Sequence, residues 1–259
     1  MRRRFFVDTF DSGSAALHGD TAEHLGRVLR AEPGQLYELS DGNAVWLARV
    51  ERVALSKSGK SRIDFVLVEN IPSREVGPDI HLLLSIVKFD RFEWCLEKAT
   101  ELGVAQITPL AAARTDKPLL AAAARRHARW EKILVESAQQ SRRLRVPRIG
   151  SAVRPADAFA QSDAELKLLL SERREAQSLR DALASGLDET RPVVLAIGPE
   201  GGWTDDEIAA ARGSGFAEAS LGESILRTET AVIAALAILR FTLSDRKGGR
   251  AHHSQTDSR

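Results

Sequence analysis

Three short runs of apolar residues, separated by segments with helical periodicity, set the strongest limit on how this 259-residue chain folds. The runs are Ile80–Val87, Leu166–Leu170 and Val193–Ile197. Because they lack the alternation of a strand with one face in water, each is predicted to be a strand covered on both faces. Such strands alternating with helices indicate a mostly parallel sheet between layers of helices, which is an α/β fold.

Apolar residues at helical spacing predict the helices that cover this sheet. One helix follows Ile80–Val87 and ends at Gly103, and a further strand is expected at Val104–Pro109. Other helices are predicted over Arg125–Ser141, near Glu175–Ala184 and over Thr228–Leu243.

The first 70 residues have a different pattern, with several short strand-like segments and one helix-like segment, Thr21–Arg30. Asp41-Gly42-Asn43 supplies the positive φ that a tight hairpin turn requires. Closely spaced strands of this kind are typical of a small β-barrel. The predicted strands are Arg4–Val7, Gln35–Ser40, Ala44–Val53 and Ile63–Val68.

A segment with two prolines and a glycine, Pro72–Pro78, separates the two patterns and is predicted to be a linker. We therefore expect a β-domain over residues 1–72 and an α/β domain over residues 78–243. Residues 244–259 are rich in polar and charged side chains and are expected to form a disordered tail.

Composition excludes several classes of protein. The single cysteine, Cys95, excludes an intrachain disulfide framework and a cysteine-clustered metal site. No apolar run reaches the roughly 20 residues of a membrane-spanning helix. Asp8 and Asp11 interrupt the apolar stretch near the N-terminus too early for a signal peptide. We therefore expect a cytoplasmic protein with no metal ion and no membrane partner.

The net charge of the chain is only +1, but the charge is unevenly distributed. Residues 76–150 carry 13 Lys and Arg against 8 Asp and Glu, whereas residues 151–243 carry 9 against 15. Between Arg114 and Arg148, 10 basic residues stand against 3 acidic ones. Basic clusters bind the phosphates of nucleic acids, but the same residues also suit the solvated face of a helix. Charge alone leaves both interpretations open.

The strand Val193–Ile197 runs directly into a glycine-rich turn, Gly198–Trp203, and then into a helix. Thr204 and Glu207 have the spacing of a capping box, which predicts where that helix begins. Ligands of open α/β sheets bind beyond the carboxyl ends of strands, and glycines let the backbone approach a ligand closely. Acidic residues at the helix start disfavour a phosphate, so the turn is either purely structural or suited to a neutral or cationic ligand.

A second loop, Ser220–Arg227, joins a short strand to the helix predicted over Thr228–Leu243. It contains three apolar side chains, and apolar residues in a loop require a reason. Two strand-end loops of this composition are suited to enclose a flat aromatic ligand such as adenine.

Several segments resemble one family of enzymes. Residues 197–208, Ile-Gly-Pro-Glu-Gly-Gly-Trp-Thr-Asp-Asp-Glu-Ile, and 221–231, Leu-Gly-Glu-Ser-Ile-Leu-Arg-Thr-Glu-Thr-Ala, resemble the RsmE family of 16S ribosomal RNA uridine-N3 methyltransferases in the SPOUT superfamily. Further matches extend the likeness over roughly residues 3–243. The chain departs from the family at Gln140-Ser-Arg-Arg143, where Gln-Ser-Gly-Arg is common.

The resemblance implies a PUA-like β-barrel that binds RNA, followed by a SPOUT α/β domain with a C-terminal trefoil knot near residues 166–243. It implies methylation of N3 of one uridine of 16S rRNA (uridine 1498) in the small ribosomal subunit, with S-adenosylmethionine as methyl donor. It also implies a homodimer whose partner helps to complete each site. Two alternatives stay open: a methyltransferase of this superfamily that acts on another position, such as a ribose 2′-hydroxyl of tRNA or rRNA, and a non-catalytic rRNA-binding assembly factor.

Transferred residue by residue, the resemblance assigns roles to three strand-end loops and to the basic residues. Arg227 is a candidate for holding the target uracil or its phosphate, unless it pairs with Glu200 or Glu229. Those two glutamates are candidate catalytic bases or cofactor-orienting groups, unless they cap a helix or pair with Arg227. The implied cofactor contacts are Ser171, Glu172, Ile197, Gly198, Pro199, Gly201, Gly202, Leu221, Gly222, Ile225, Leu226 and Arg227. The implied rRNA contacts, each equally compatible with a solvated surface position, are Arg4, Arg27, Arg30, Arg142, Arg143 and Arg145.

Overall fold

The structure, a computed structural model, describes residues 3–56, 60–73, 77–184 and 191–245. The chain divides into two compact units, one formed by residues 1–75 and 138–146 and the other by residues 76–137 and 147–259. The first unit thus includes a short piece of chain that the sequence pattern alone assigns to the α/β domain. Residues 74–76 of the predicted linker, and the predicted tail from residue 246 onward, lie outside the described residues.

The first unit is built around a five-stranded sheet. Its strands are β1 (Arg4–Phe6), β2 (Ser14–His18), β3 (Leu36–Ser40), β4 (Val45–Ala54) and β5 (Arg62–Asn70). Their order is β1-β3-β4-β5-β2, with β1 parallel to β3 and the other neighbours antiparallel. The segment predicted to be one helix is a short helix, α1 (Gly19–Glu23), that continues into a π-helical segment at His24–Val28. The closure of this sheet into a barrel stays a prediction.

The hairpin predicted from Asp41-Gly42-Asn43 is confirmed. Gly42 has a φ of +87°, and the Asp41 carboxylate accepts hydrogen bonds from the N–H groups of Asn43 and Ala44, both at 2.8 Å. Strand β2 was not predicted, because only Leu17 among its five residues has a large apolar side chain. Its alternate residues nevertheless face the core of the unit, which includes Phe5, Leu17, Leu25, Leu39 and Phe65.

The second unit contains a seven-stranded sheet in which each strand is parallel to its neighbours. Its strands are β6 (Ile80–Ser85), β7 (Gln106–Leu110), β8 (Arg148–Ile149), β9 (Leu166–Leu170), β10 (Gln177–Ser178), β11 (Val193–Ile197) and β12 (Ala217–Ser220). Their order is β10-β12-β9-β11-β6-β7-β8. All five residues of the central strand β11 are buried. The predicted parallel α/β sheet is therefore confirmed, whereas the trefoil knot stays a prediction.

Six helices of the second unit are α2 (Phe89–Glu101), α3 (Lys117–Gln140), α4 (Pro155–Ala160), α5 (Leu179–Ala184), α6 (Asp205–Gly213) and α7 (Thr228–Asp245). Helix α3 begins eight residues earlier than predicted, because the alanine-rich turns before Arg125 carry no apolar periodicity although alanine is a strong helix former. Helix α5 is shorter than predicted, since strand β10 takes the residues before it.

Buried side chains of the second unit fasten helices to the sheet around Phe159. Its ring lies 4.9 Å from that of Phe216 and 5.9 Å from that of Trp203, measured between centroids. Because the strands are parallel, the carboxyl ends of β6, β7, β9, β11 and β12 open onto the same edge of the sheet. The loops that carry the candidate residues leave from this edge.

Candidate functional site

A cavity of about 740 Å³ lies at the carboxyl edge of the seven-stranded sheet, within the second unit. Its volume is in the usual range of small-molecule sites. The loops that follow β9, β11 and β12 form much of its wall, and all the residues that the resemblance implies as cofactor contacts line it. The fold thus brings together three segments that are distant in the sequence, and the binding role of these residues stays a prediction.

The turn after β11 is held in place by the indole ring of Trp203. Its Nε1 donates a hydrogen bond to the carbonyl oxygen of Leu170 at 2.9 Å, which ties this turn to the end of β9. A Cβ atom on Gly198 would lie only 3.0 Å from the ring. Gly202 has a φ of +71° and donates its N–H to the carbonyl oxygen of Pro199 at 2.8 Å. Close approach at one glycine and positive φ at the other explain why this turn needs glycine.

The capping box predicted at the start of α6 is confirmed. The Thr204 hydroxyl accepts a hydrogen bond from the Glu207 N–H at 3.3 Å, and the Glu207 carboxylate accepts from the Thr204 N–H at 2.8 Å. The second oxygen of this buried carboxylate accepts from the N–H of Ala113 at 2.8 Å. Glu207 therefore fastens the loop after β7 to the helix that follows the glycine-rich turn.

The loop between β12 and α7 closes another side of the cavity. The Ser220 hydroxyl accepts a hydrogen bond from the N–H of Gly222 at 3.1 Å, and Gly222 has a φ of +124°. The Thr228 hydroxyl at the start of α7 donates to the carbonyl oxygen of Gly198 at 3.4 Å. Ile225 is 79% exposed, so this loop presents an apolar side chain that no other part of the described chain covers.

Arg91, at the start of α2, is the partner of the two candidate glutamates. Its guanidinium is in contact with the Glu200 carboxylate, and its Nε lies 4.0 Å from Glu229 Oε1. Among the described residues Arg227 has no ion pair, so the alternative in which it pairs with these glutamates is not the arrangement in the structure. Arg227 and Glu200 line the cavity, whereas Glu229 lies beside it.

Glu229 occupies a largely buried position between α7 and α2. Its Oε2 is buried, and no donor of the described chain is within hydrogen-bonding distance of it. Burial of the thiol, and next to it the negative charge of Glu229, raises the pKa of Cys95 on α2 to about 12. Cys95 is therefore a thiol at neutral pH and an inert part of this helix interface.

Three arginines that line the cavity were not predicted as site residues. Besides Arg91, they are Arg114, whose Nη1 donates to the carbonyl oxygen of Gly201 at 2.8 Å, and Arg173, whose Nη1 lies 3.2 Å from Asp205 Oδ1. Each stands a few residues after the end of a parallel strand. That position is the sequence signal by which they could have been found.

The six arginines implied as rRNA contacts all belong to the first unit. Arg4 is buried: its Nη2 donates to Glu38 Oε2 at 3.0 Å, and its Nη1 donates to the carbonyl oxygens of Arg142 and Arg143 at 2.6 and 3.1 Å. A guanidinium in this position must break these contacts to meet a phosphate. Arg4 therefore holds the segment 138–146 within the first unit.

The other five differ in exposure. Arg143 is buried, and Arg142 is partly buried with its Nη1 3.8 Å from Glu38 Oε1. Arg27, Arg30 and Arg145 are exposed. Arg27 Nε lies 2.6 Å from Glu23 Oε1, and Arg145 Nε donates to the carbonyl oxygen of Gly42 at 2.6 Å. The exposed three are thus placed to reach a polyanion, and their contact with rRNA stays a prediction.

Two features are absent from the part of the chain that the structure describes, a membrane-spanning helix and a metal site. No helix there is long and apolar enough to cross a membrane. No three His, Cys, Asp or Glu side chains gather there in a way that could hold a metal ion.

Comparison with known proteins identifies relatives over nearly the whole chain. Residues 75–240 match the RNA methyltransferase domain family. Proteins named ribosomal RNA small subunit methyltransferase E are 34% identical over 221 residues in Synechocystis sp. (83% of this chain, 68% of the relative) and 35% identical over 231 residues in Mesomycoplasma hyopneumoniae (89% and 95%).

A solved structure agrees with these relatives. The crystal structure of ribosomal RNA small subunit methyltransferase E from Neisseria gonorrhoeae bound to S-adenosylmethionine is 31% identical, with a TM-score of 0.80, and the match covers 93% of this chain and 98% of that one. The chain therefore belongs to the RNA methyltransferase domain family and, within it, to the ribosomal RNA small subunit methyltransferase E family, the RsmE family that its sequence resembles.

Proposed function

We propose that this protein is an S-adenosylmethionine-dependent methyltransferase that acts on N3 of one uridine of 16S rRNA, uridine 1498, in the small ribosomal subunit. The observation that carries the proposal is that all the implied cofactor contacts line the same cavity. Membership of the family, and the S-adenosylmethionine bound in the similar structure from Neisseria gonorrhoeae, support the same assignment.

The residues that line the cavity fit this cofactor. Gly198, Gly202 and Gly222 line the cavity without side chains that would fill it, and apolar side chains from β11 and the Ser220–Arg227 loop can cover an adenine ring. The carboxylates of Glu172 and Glu223 also line the cavity and suit a ligand with cationic groups. When bound, S-adenosylmethionine supplies a methyl group on a cationic sulfonium.

Arg227 is placed to act on the acceptor base. N3 of uracil carries a proton, and transfer of that proton to water leaves negative charge that the ring shares with its carbonyl oxygens. The Arg227 guanidinium lines the cavity and has no carboxylate partner among the described residues, so it can donate to such an oxygen. Holding nitrogen and methyl group in line supplies the remaining acceleration, for which positioning alone is worth about 7–11 kcal/mol.

Glu200 and Glu229 act with Arg91 as positioning residues. The Oε1 atom of Glu200 is already in contact with the Arg91 guanidinium, so this carboxylate can hold Arg91 against the glycine-rich turn. Glu229 lies outside the cavity wall, with its Oε1 atom 4.0 Å from Nε of the same guanidinium. Between two carboxylates, Arg91 fixes the glycine-rich turn relative to the start of α7.

The finer features of the fold and of the partners belong to the same proposal. We infer that the first unit is a PUA-like barrel, that β9, β11 and β12 with their connections form a trefoil knot, and that Arg27, Arg30 and Arg145 contact rRNA. Their exposure supports the last point. Action on small subunits places the protein in the cytoplasm.

A homodimer is also part of this proposal. Helices α2 and α7 pack against each other, and their outer surface exposes Trp94 (42%), Ile238 (40%) and Phe241 (72%). Large apolar side chains exposed on adjacent helices suit an interface between copies. Sedimentation of wild type and Phe241→Glu tests this: a dimer that the variant dissociates supports it, and a monomeric wild type at micromolar concentration contradicts it.

Methyl transfer to small subunits tests the function itself. The purified protein is incubated with S-adenosylmethionine and small subunits from a strain that lacks this modification, and the rRNA is digested and analysed by mass spectrometry. We expect 3-methyluridine at one position. Another methylated nucleoside would support S-adenosylmethionine as the methyl donor and would mean that the acceptor is a different atom of the RNA. Cofactor binding without transfer to any RNA would favour the assembly factor.

A further inference from the structure

We propose that Arg114, on the wall of this cavity, binds a backbone phosphate of the RNA acceptor. This inference rests on the proposed function and adds a substrate-binding residue to it. Three observations carry it: the pairing of the arginines in the cavity, their place along the sheet, and the anchoring of the loop after β7.

The four arginines that line the cavity fall into two classes. Arg91 is in contact with Glu200, and Arg173 lies 3.2 Å from Asp205, so the charge of each is matched by a carboxylate. Arg114 and Arg227 have no carboxylate partner in the described parts of the chain. Positive charge without a counter-charge on the wall of a cavity attracts an anionic ligand.

The order of the strands separates Arg114 from two carboxylates of the cavity wall. Glu172 follows β9 and Glu223 follows β12, and both strands lie on one side of the central strand β11. Arg114 follows β7, which lies on the other side of β11, beyond β6. Glu172 and Glu223 therefore lie on one side of β11 and Arg114 on the other.

The loop that carries Arg114 is fastened on both sides of it. The N–H of Ala113 donates to Glu207 Oε1 at 2.8 Å, and the buried Thr115 hydroxyl donates to the carbonyl oxygen of Ile86 at 3.0 Å. One N–H of Arg114 donates to the carbonyl oxygen of Gly201. Because that acceptor is neutral and a guanidinium has five N–H groups, the whole charge and most of the donors stay available for a ligand.

A phosphodiester is the acceptor group that fits best. The planar fork of a guanidinium matches two oxygens of a phosphate. A base that enters a pocket brings its flanking phosphates to the rim of that pocket. With Arg227 on the base, Arg114 at another strand end is placed for one of these phosphates.

The test compares Arg114→Gln with Arg180→Gln, which removes the same charge from an exposed position on α5 outside the cavity wall. Binding of unmodified small subunits, and of an oligouridylate, is measured over a series of salt concentrations. We expect Arg114→Gln to weaken RNA binding by about tenfold or more and to lower the slope of log K against log salt by about 0.7. Arg180→Gln should retain the slope, and so should Arg114→Lys, which keeps the charge.

Cofactor binding is the second readout. Calorimetry with S-adenosylmethionine should give the same affinity for wild type and Arg114→Gln. Weaker binding of S-adenosylmethionine by Arg114→Gln, with unchanged binding of 5′-methylthioadenosine, would assign Arg114 to the cofactor carboxylate and overturn the proposal. If Arg114→Gln and Arg180→Gln bind RNA with the same affinity, the proposal is overturned as well.

The two proposals fail in different ways. If wild type transfers no methyl group to any RNA, the proposed function fails, while the salt-dependent binding of oligouridylate still decides whether Arg114 holds a phosphate. If wild type methylates small subunits and the Arg114→Gln slope is unchanged, only the present inference fails.

Discussion

Gly198→Ala tests whether the glycine-rich turn is fixed by the close approach of its backbone to Trp203. Gly198 does not have a positive φ, so alanine meets no backbone strain there. Its Cβ, however, would lie 3.0 Å from Trp203 Cε2 and 3.1 Å from Nε1. Either the turn or the ring must move by several tenths of an ångström.

The ring has little room to move. It is 8% exposed, packs against Phe159, and donates its hydrogen bond to Leu170. Overpacking of this kind costs about 1–3 kcal/mol, and losing the buried hydrogen bond would add about 1–3 kcal/mol. For a chain of this size, each kcal/mol lowers the midpoint of thermal unfolding by about 2–4 °C.

Thermal unfolding is measured for wild type, Gly198→Ala and Gly213→Ala. Gly213 is the matched control, since it ends α6, has no positive φ, and has nothing within 4 Å of an added Cβ. Gly213→Ala should be neutral or more stable by up to about 1 kcal/mol. If Gly198→Ala unfolds at the same temperature as Gly213→Ala, the contact with Trp203 does not fix this turn.

Three further predictions concern other contacts. Thr204→Ala removes the helix cap of α6 and should lower stability by about 1 kcal/mol in chemical denaturation; an unchanged midpoint would contradict the capping role. Glu38→Gln leaves the Arg4 guanidinium buried without its carboxylate and should cost about 3–5 kcal/mol, seen as faster hydrogen exchange in the first unit; wild-type exchange would refute this. Burial, and next to it the charge of Arg148, lowers the pKa of His81 to about 4, below the unfolded value of about 6.5. His81 therefore contributes stability that is present above pH 6.5 and is lost as the pH falls toward 4, by up to about 3 kcal/mol. The free energy of unfolding of His81→Gln should therefore depend less on pH between 6.5 and 4 than that of the wild type.

The strands and turns of this fold could be predicted from the sequence where neighbouring residues determine them. The continuous apolar run Val193–Ile197 and the capping box at Thr204 correspond to a buried strand and a helix start because both depend on neighbouring residues. Strand β2 and the first turns of α3 were missed because their small side chains give no periodic signal. Pairing with β5, in the case of β2, compensates for the weak local preference.

The candidate site was only partly predictable. Its glycine-rich loops were visible because positive φ and close backbone approach select glycine. The partners of the arginines were not, because ion pairs join residues far apart in the chain: Arg4 reaches Glu38 and the carbonyl oxygen of Arg142, and Arg91 reaches Glu200. The sequence shows that a residue is basic, but it does not show which carboxylate forms an ion pair with it.

Titration of S-adenosylmethionine into three proteins tests most directly whether this cavity holds the methyl donor. They are wild type, Gly202→Val and Gly215→Val; both glycines have positive φ, at +71° and +83°, but only Gly202 lines the cavity. Backbone strain is therefore matched between the variants. We expect one site per chain in wild type, the same affinity in Gly215→Val, and no measurable binding in Gly202→Val. Wild-type affinity in Gly202→Val would contradict the assignment of this cavity to the cofactor.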